Sequence, residues 1–263
     1  MTTLIDAMLE TARVIGAVRE GTATGGSTTT LIDTQLNEAS GYYKGGTIWL
    51  LSGDNDGTCD IVAGFGENTV TLTSTLAQTV AAGVCYAIAN NEYPKHRIMQ
   101  AVLTQLRFAK ILKTNDTLAV TADTEEYSLP SGVSNVRRVE VAASTSAPYG
   151  YAPNRFWKEW NGKIIFDKGY APTSTGNKIR LWYEGIHEEV GETEEILTSV
   201  DINWLKWSAA AFLYREEIKR IQKDNPTALD LLNEAKSLEA EAKMNAGRFQ
   251  LSSMPIDSKL AGW

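Results

Sequence analysis

Histidine and cysteine are nearly missing from this chain: of 263 residues, two are His and two are Cys. That scarcity leaves few candidates for imidazole or thiol chemistry. A Ser-His-Asp or Cys-His triad needs an oriented imidazole beside its nucleophile, and neither His96 nor His187 has a nucleophile motif nearby. No Gly-x-Ser-x-Gly sequence occurs, and the Gly-rich stretch Gly21 to Gly26 lacks the Lys-Ser/Thr ending that holds phosphate and magnesium. His187-Glu188-Glu189 has Gly191 where a zinc protease needs its second His. The acidic run that continues through Glu195 is read instead as a solvated loop near a helix N-terminus, where the macrodipole favours negative charge. Asp54-Asn55-Asp56-Gly57 is similar to a calcium loop, but the first and twelfth loop positions would be Ser52 and Ala63, which supply no carboxylate. It reads as a hairpin turn. The expectation is a protein with no catalytic residues, no metal and no cofactor.

Positive charge is also in short supply. Lys and Arg number 25 against 32 Asp and Glu, a net charge of −7. A general duplex-DNA clamp draws its affinity from cations that neutralise phosphates, so that class is disfavoured. The imbalance is concentrated: between positions 21 and 92, Asp33, Glu38, Asp54, Asp56, Asp60, Glu67 and Glu92 face Lys44 alone. One separate module carries most of the net charge.

Long apolar runs are missing too. The charge-free stretch 68–91 is rich in Thr, Ser, Gln and Asn and alternates with period two, which reads as strands rather than a membrane span. The first residues have neither a basic n-region nor an apolar h-region, so no secretory leader is expected. Cys59 and Cys85 are therefore expected as reduced thiols, their proximity undetermined by sequence.

What is present is apolar periodicity that changes four times. Thr3 and Asp6 match a capping box, and Ile5, Met8, Leu9, Ala12 and Ile15 follow as a helical stripe that ends near Gly16. From about 17 to 93 the texture becomes Gly, Thr and short alternating runs, with strands expected at 29–34, 47–51, 58–63, 69–73 and 84–89. Several short strands at near-even spacing imply a small antiparallel barrel or sandwich. Pro94 then opens a helix expected to run to Lys113, with Ile98, Val102, Leu106 and Ala109 on one face. A second β-rich stretch occupies 114–199. Residues 118–121 and 125–129 suggest a hairpin, and Asn161-Gly162 between two apolar runs is a strong hairpin signal. Arg137, Arg138 and the aromatics Tyr149, Tyr151, Phe156, Trp157 and Trp160 offer stacking for bases or sugars, or else cross-strand pairs in a thin sheet.

The last 64 residues hold two more helices. One starts near Asp201 with Trp204, Trp207, Ala211, Tyr214, Ile218 and Ile221 at helical spacing. Asn225-Pro226 breaks it. The other carries Leu229, Leu232, Ala235, Leu238 and Ala242, with Gly247 as the expected stop. No helix here can bury its stripe alone, so the economical architecture is α+β. It is a discontinuous four-helix bundle (1–16, 94–113 and 200–247) with an inserted small antiparallel β-barrel or sandwich (17–93) and a second antiparallel sheet extension (114–199). Residues 248–263 remain as an apolar tail expected to dock on a partner through Phe249, Leu251, Met254, Ile256, Leu260 and Trp263.

In element order and texture the chain resembles the head-to-tail adaptor (connector) proteins of tailed bacteriophages. Three segments carry the resemblance: Asp116 to Val133 followed by Val136 to Val141; Asp201 to Tyr214 with the helix behind it; and the Gly/Thr-rich insert from Gly21 to Thr34. The resemblance implies a virion neck protein, assembled in the host cytoplasm, that forms a homo-oligomeric ring, usually of twelve copies. It implies a C-terminal segment that reaches the portal protein, a tail or neck partner, and genomic DNA passing through the lumen without sequence-specific binding. No membrane partner is implied. The alternative from a different class is a carbohydrate- or receptor-binding tail or head-decoration protein using the inserted β-domain.

Overall fold

A computed structural model describes residues 2–122, 124–188, 190–192, 194–196, 200–225 and 227–253. The fold is mixed α+β, with four helices among the described residues and only antiparallel strand pairing. The described residues divide into two compact units, one formed by 2–107 with 188–253 and the other by 108–187.

The first unit begins with α1 (Leu4–Val14), whose capping box is intact: Thr3 Oγ1 accepts from the Asp6 amide at 3.2 Å and Asp6 Oδ2 accepts from the Thr3 amide at 2.8 Å. Seven strands follow: β1 (Val18–Thr22), β2 (Gly25–Gly26), β3 (Thr30–Ile32), β4 (Thr47–Leu50), β5 (Cys59–Gly66), β6 (Thr69–Leu72) and β7 (Cys85–Ala89). They form one sheet in the order β1-β7-β4-β5-β6-β3-β2. Its two edge strands, β1 and β2, are separated in sequence only by Ala23 and Thr24. Three peptide steps span at most about 11 Å, so the sheet has to curl until its edges meet, giving a half-barrel. Leu31, Ile48, Leu50, Val62, Val70, Leu72, Tyr86 and Ile88 fill the interior.

Side chains stitch the seam where the edges approach. Tyr86 Oη donates to Asp33 Oδ2 at 2.6 Å in a buried pair, and Arg19 of β1 pairs with Glu38 and donates to the Gln35 carbonyl. Gly21 is required here, because a Cβ on it would lie 2.6 Å from the Tyr86 hydroxyl and 2.8 Å from Asp33. Burial and the neighbouring Glu38 carboxylate push the Tyr43 hydroxyl up to about 12. All four residues of β4 are buried, so this strand is covered on both faces: Ile48 and Leu50 point into the barrel, Thr47 and Trp49 out of it. The outer side meets the approach to α2 (Lys95–Phe108), where Thr47 Oγ1 donates to the Tyr93 carbonyl at 3.0 Å and Lys95 Nζ to the Cys59 carbonyl at 2.8 Å. Cys59 is buried and Cys85 exposed, and both are free. Burial pushes the Cys59 thiol up to about 12.

The second unit has a four-stranded sheet, order β11-β10-β14-β8, and a three-stranded sheet, order β12-β13-β9. The strands are β8 (Lys110–Ala119), β9 (Glu126–Ser128), β10 (Val136–Ala142), β11 (Tyr151–Asn154), β12 (Trp157–Trp160), β13 (Lys163–Phe166) and β14 (Lys178–Ile186). Val136, Val139, Ile179 and Leu181 of the larger sheet share one core with Tyr127, Trp157, Ile164 and Phe166 of the smaller. The β12–β13 hairpin turns at Asn161 and Gly162 with φ of 49° and 68°. Two consecutive left-handed residues are what a type I′ turn demands.

Two sequence expectations fail in this unit. The helix expected to reach Lys113 stops at Phe108, and Lys110 and Lys113 lie in β8. The ten-residue β8 pairs along nearly all of β14, so its backbone groups find strand partners that outweigh a weak helical pattern. Residues 118–121 and 125–129 do not pair as a hairpin either. β8 goes to β14 and β9 to β13, because the two segments belong to different sheets.

Candidate functional site

The helical hairpin at the end of the first unit is the candidate interaction surface. Asp201 caps α3 (Ile202–Asp224) by accepting from the Asn203 amide at 2.8 Å, and the helix ends at Asn225. α4 (Leu229–Ser253) returns alongside it. The seam between them is built from small residues: Ala210 and Ala211 meet Ala242, with Trp207 and Tyr214 packed at the margin beside Val14 of α1 and Ile15, which caps its C-terminus. Alanines let the backbones approach closely, so the hairpin spends its large side chains elsewhere.

Those large side chains are where a partner has something to hold. Leu229 is 63% exposed, Leu231 54% and Met244 55%. Trp204, Phe212, Leu232, Leu238 and Phe249 are half-buried. Charge pairs brace the polar faces. Glu239 sits between Arg215 at 3.0 Å and Lys243 at 2.6 Å, Glu217 between Arg220 at 2.6 Å and Arg97 of α2 at 3.4 Å, and Glu10 of α1 accepts from Lys206 at 3.2 Å. Burial raises the Glu217 and Glu239 carboxyls, but the paired cations outweigh it and hold both below the ordinary value.

Of the six docking residues expected from sequence, Phe249 is the one described with its side chain. It is half-buried on α4 and engaged with neighbours. Leu251 belongs to the same helix. Met254, Ile256, Leu260 and Trp263 lie outside the described residues. The expected stop at Gly247 is incorrect: α4 runs through it to Ser253. Glycine costs a helix about 1 kcal/mol, and the buried Ala242 and Ala246 with the half-buried Phe249 continue one face past it, which offsets that cost.

The deepest positions of α3 were not those singled out by spacing. Leu205, Ala209, Ala210 and Leu213 are more buried than Trp204, Trp207 and Tyr214, because α3 has neighbours on more than one side. Counting faces rather than one stripe could have found them: apolar residues occupy adjacent positions from Ala209 to Leu213.

The remaining sequence candidates separate. Asp54 to Gly57 forms the β4–β5 turn, where Asn55 Nδ2 donates to the Gln78 carbonyl and Oδ1 accepts from its amide. Glu192 and Glu195 border the start of α1: Ile5 donates to the Glu192 carbonyl at 3.3 Å, and Thr3 bridges to Glu195. His187 is buried in the second unit and His96 is exposed in the first turn of α2. Among the described residues no three His, Cys, Asp or Glu side chains converge where they could hold a metal ion. Arg137 and Arg138 are taken up by Glu184 and Glu140. Tyr151 lies under Arg180 at 3.7 Å, and Arg180 also forks onto Asp116 with two contacts of 2.8 Å. That guanidinium holds the Asp116 carboxyl below its usual value. Trp157 is buried, while Trp160 is 71% exposed at the hairpin tip. Among the described residues no helix is long and apolar enough to cross a membrane.

No model of a known protein family matches this chain, and no curated protein matches it either.

Proposed function

We propose that the protein is a non-enzymatic structural adaptor of a tailed bacteriophage that forms a homo-oligomeric ring between portal and tail, around the DNA channel. The observation that carries this reading is the α3–α4 hairpin. It is sealed inwardly by alanines, leaves Leu229, Leu231 and Met244 exposed, and leads into an apolar C-terminal segment. In this reading α1, α2, α3 and α4 act as one four-helix bundle, supported by the α1–α3 pair Glu10–Lys206 and the α2–α3 pair Arg97–Glu217. Neighbouring bundles pack side by side through the exposed apolar positions. Phe249, Leu251, Met254, Ile256, Leu260 and Trp263 anchor the ring to the portal, and the half-barrel and the β-rich second unit serve tail or neck contacts. A net charge of −7 suits a conduit that must not grip passing DNA.

Removal of residues 248–263 tests the anchor. The truncated protein is expected to fold and to stop joining portal-bearing heads, and continued assembly on such heads would overturn the anchor. Native mass spectrometry with and without portal tests the ring, and a monomer under both conditions counts against it.

A further inference from the structure

The second unit contains an open cleft of about 470 Å³ beside the edge strand β11. Val141 and its cross-strand neighbour Ala152 line it with apolar side chains, and Phe156, Thr173 and Ser174 line it further. Phe156 is 46% exposed and stacks on Tyr170, with ring centroids 3.8 Å apart and planes at 24°. Tyr170 covers one face of the Phe156 ring, and Phe156 itself lines the cleft. One side chain holds this platform. Asn154 Oδ1 accepts from the Phe156 amide at 2.9 Å while its Nδ2 donates to the Tyr170 carbonyl at 3.1 Å. An aromatic surface fixed before binding spares a ligand the cost of ordering it.

Charge narrows the ligand. Arg155 is the sole ionisable lining residue, and no carboxylate lines the cleft. Arg137, Arg138 and Arg180 of this unit are committed to Glu184, Glu140 and Asp116, whereas Arg155 has no ion pair among the described residues. A free guanidinium fork matches a carboxylate. One cation in a chain of net charge −7 is too little for a nucleic-acid backbone. Strand addition by a peptide is also disfavoured. The Ala143 amide donates to the Gly150 carbonyl, and with the β10–β11 register this turns Tyr151 and Pro153 outward. Pro153 then faces the edge with no N–H to give.

We infer that this cleft binds a carboxylated saccharide. A sugar ring lies on Phe156, its carboxylate meets Arg155, and ring hydroxyls exchange hydrogen bonds with Thr173 and Ser174. The inference is independent of the adaptor reading, because it is read on the isolated chain without portal or heads.

Nuclear magnetic resonance titration of the full chain with trigalacturonate, maltotriose and a thymidine oligonucleotide tests it. Trigalacturonate is expected to bind more tightly than maltotriose. Phe156→Ala should weaken trigalacturonate at least about fivefold through lost stacking. Arg155→Gln, at an exposed position that leaves folding intact, should weaken trigalacturonate about tenfold and leave maltotriose unchanged. No trigalacturonate binding at millimolar ligand overturns the proposal. So does equal affinity in Phe156→Ala with an unchanged melting temperature, or preference for the oligonucleotide.

Discussion

The two β-regions of this protein are held together in different ways. The half-barrel is covered on both sides of β4, and its interior is almost wholly apolar. At one seam, Tyr86–Asp33 and Arg19–Glu38 close what the strands leave open. The two sheets of the second unit bury one face each against a common core. The outward face of the larger sheet carries Lys178, Arg180 and Trp182 on β14, cross-braced to Tyr149, Asp116 and Glu140. A strand buried on both faces, as β4 is, draws most of its stabilisation from burial. One with a single buried face adds cross-strand ion pairs and cation–π contacts, each worth only tenths of a kcal/mol to about 1 kcal/mol. The half-barrel should therefore depend on a few large terms and the second unit on many small ones.

Trp49→Ala should give the largest loss, about 3–5 kcal/mol, because it empties a fully buried site on the doubly covered strand. Urea unfolding measures it, and a loss under 1 kcal/mol would mean that the outer face of β4 is not sealed. Tyr86→Phe should cost about 1–3 kcal/mol, since it leaves the Asp33 carboxylate buried with its hydroxyl partner gone. The same seam sets an alkaline limit. Tyr43 and Tyr86 titrate higher in the folded state than the ordinary value of about 10, because burial and the carboxylates beside them disfavour the phenolates. Their contribution is present below pH 10 and declines as pH rises, Tyr43's being lost through about 12 and Tyr86's at still higher pH. Tyr86→Phe should flatten that decline in a pH series of melting temperatures.

Asp116→Asn should cost the second unit about 1 kcal/mol at neutral pH. Arg180 holds the Asp116 carboxyl low and Arg137 does the same for Glu184, so their stabilisation is present above the ordinary carboxylate range and is lost as pH falls through the depressed folded values. Hydrogen exchange resolved by unit should show acid loosening in 108–187 that Asp116→Asn reduces. Arg215→Ala, at an exposed pair on the helical hairpin, should change stability by less than about 0.5 kcal/mol. A larger effect would mean that the hairpin depends on its surface charges rather than its alanine seam.

Much of the secondary structure was legible because its signals are local. The Thr3/Asp6 capping box, the Asp201 cap, the Asn161-Gly162 turn and the alternation of Tyr86 and Ile88 all lie within a few residues of the backbone they control. β1 and β2 were harder to see: Val18–Thr22 has one strong β-former at each end, and Gly25–Gly26 has no side chains to alternate. The boundary at Phe108 was missed because helical spacing extends into β8, whose partner β14 lies about 70 residues downstream. At the candidate site the two helices were legible, and so were two seam residues, Ala211 and Ala242, but not the rest of the small-residue face. Alanine carries a weak periodic signal, so Ala209, Ala210 and Ala246 went unnoticed beside tryptophan and leucine. The Phe156–Tyr170 platform was equally hidden, since Asn154 joins two segments that sequence alone does not bring together.

By itself the sequence determined the α+β class, the four helices, the position of most strands and the concentration of the net negative charge in residues 21–92, because each follows from short-range periodicity, capping or composition. Tertiary structure alone decided that β1 and β2 approach around a curled sheet, that β8 joins β14 rather than β9, that helix α4 continues through Gly247, and that Phe156 is backed by Tyr170. Each of these is a choice between partners distant along the chain. It turns on which arrangement buries more apolar surface and leaves fewer backbone groups unpaired, and a local pattern does not contain that information.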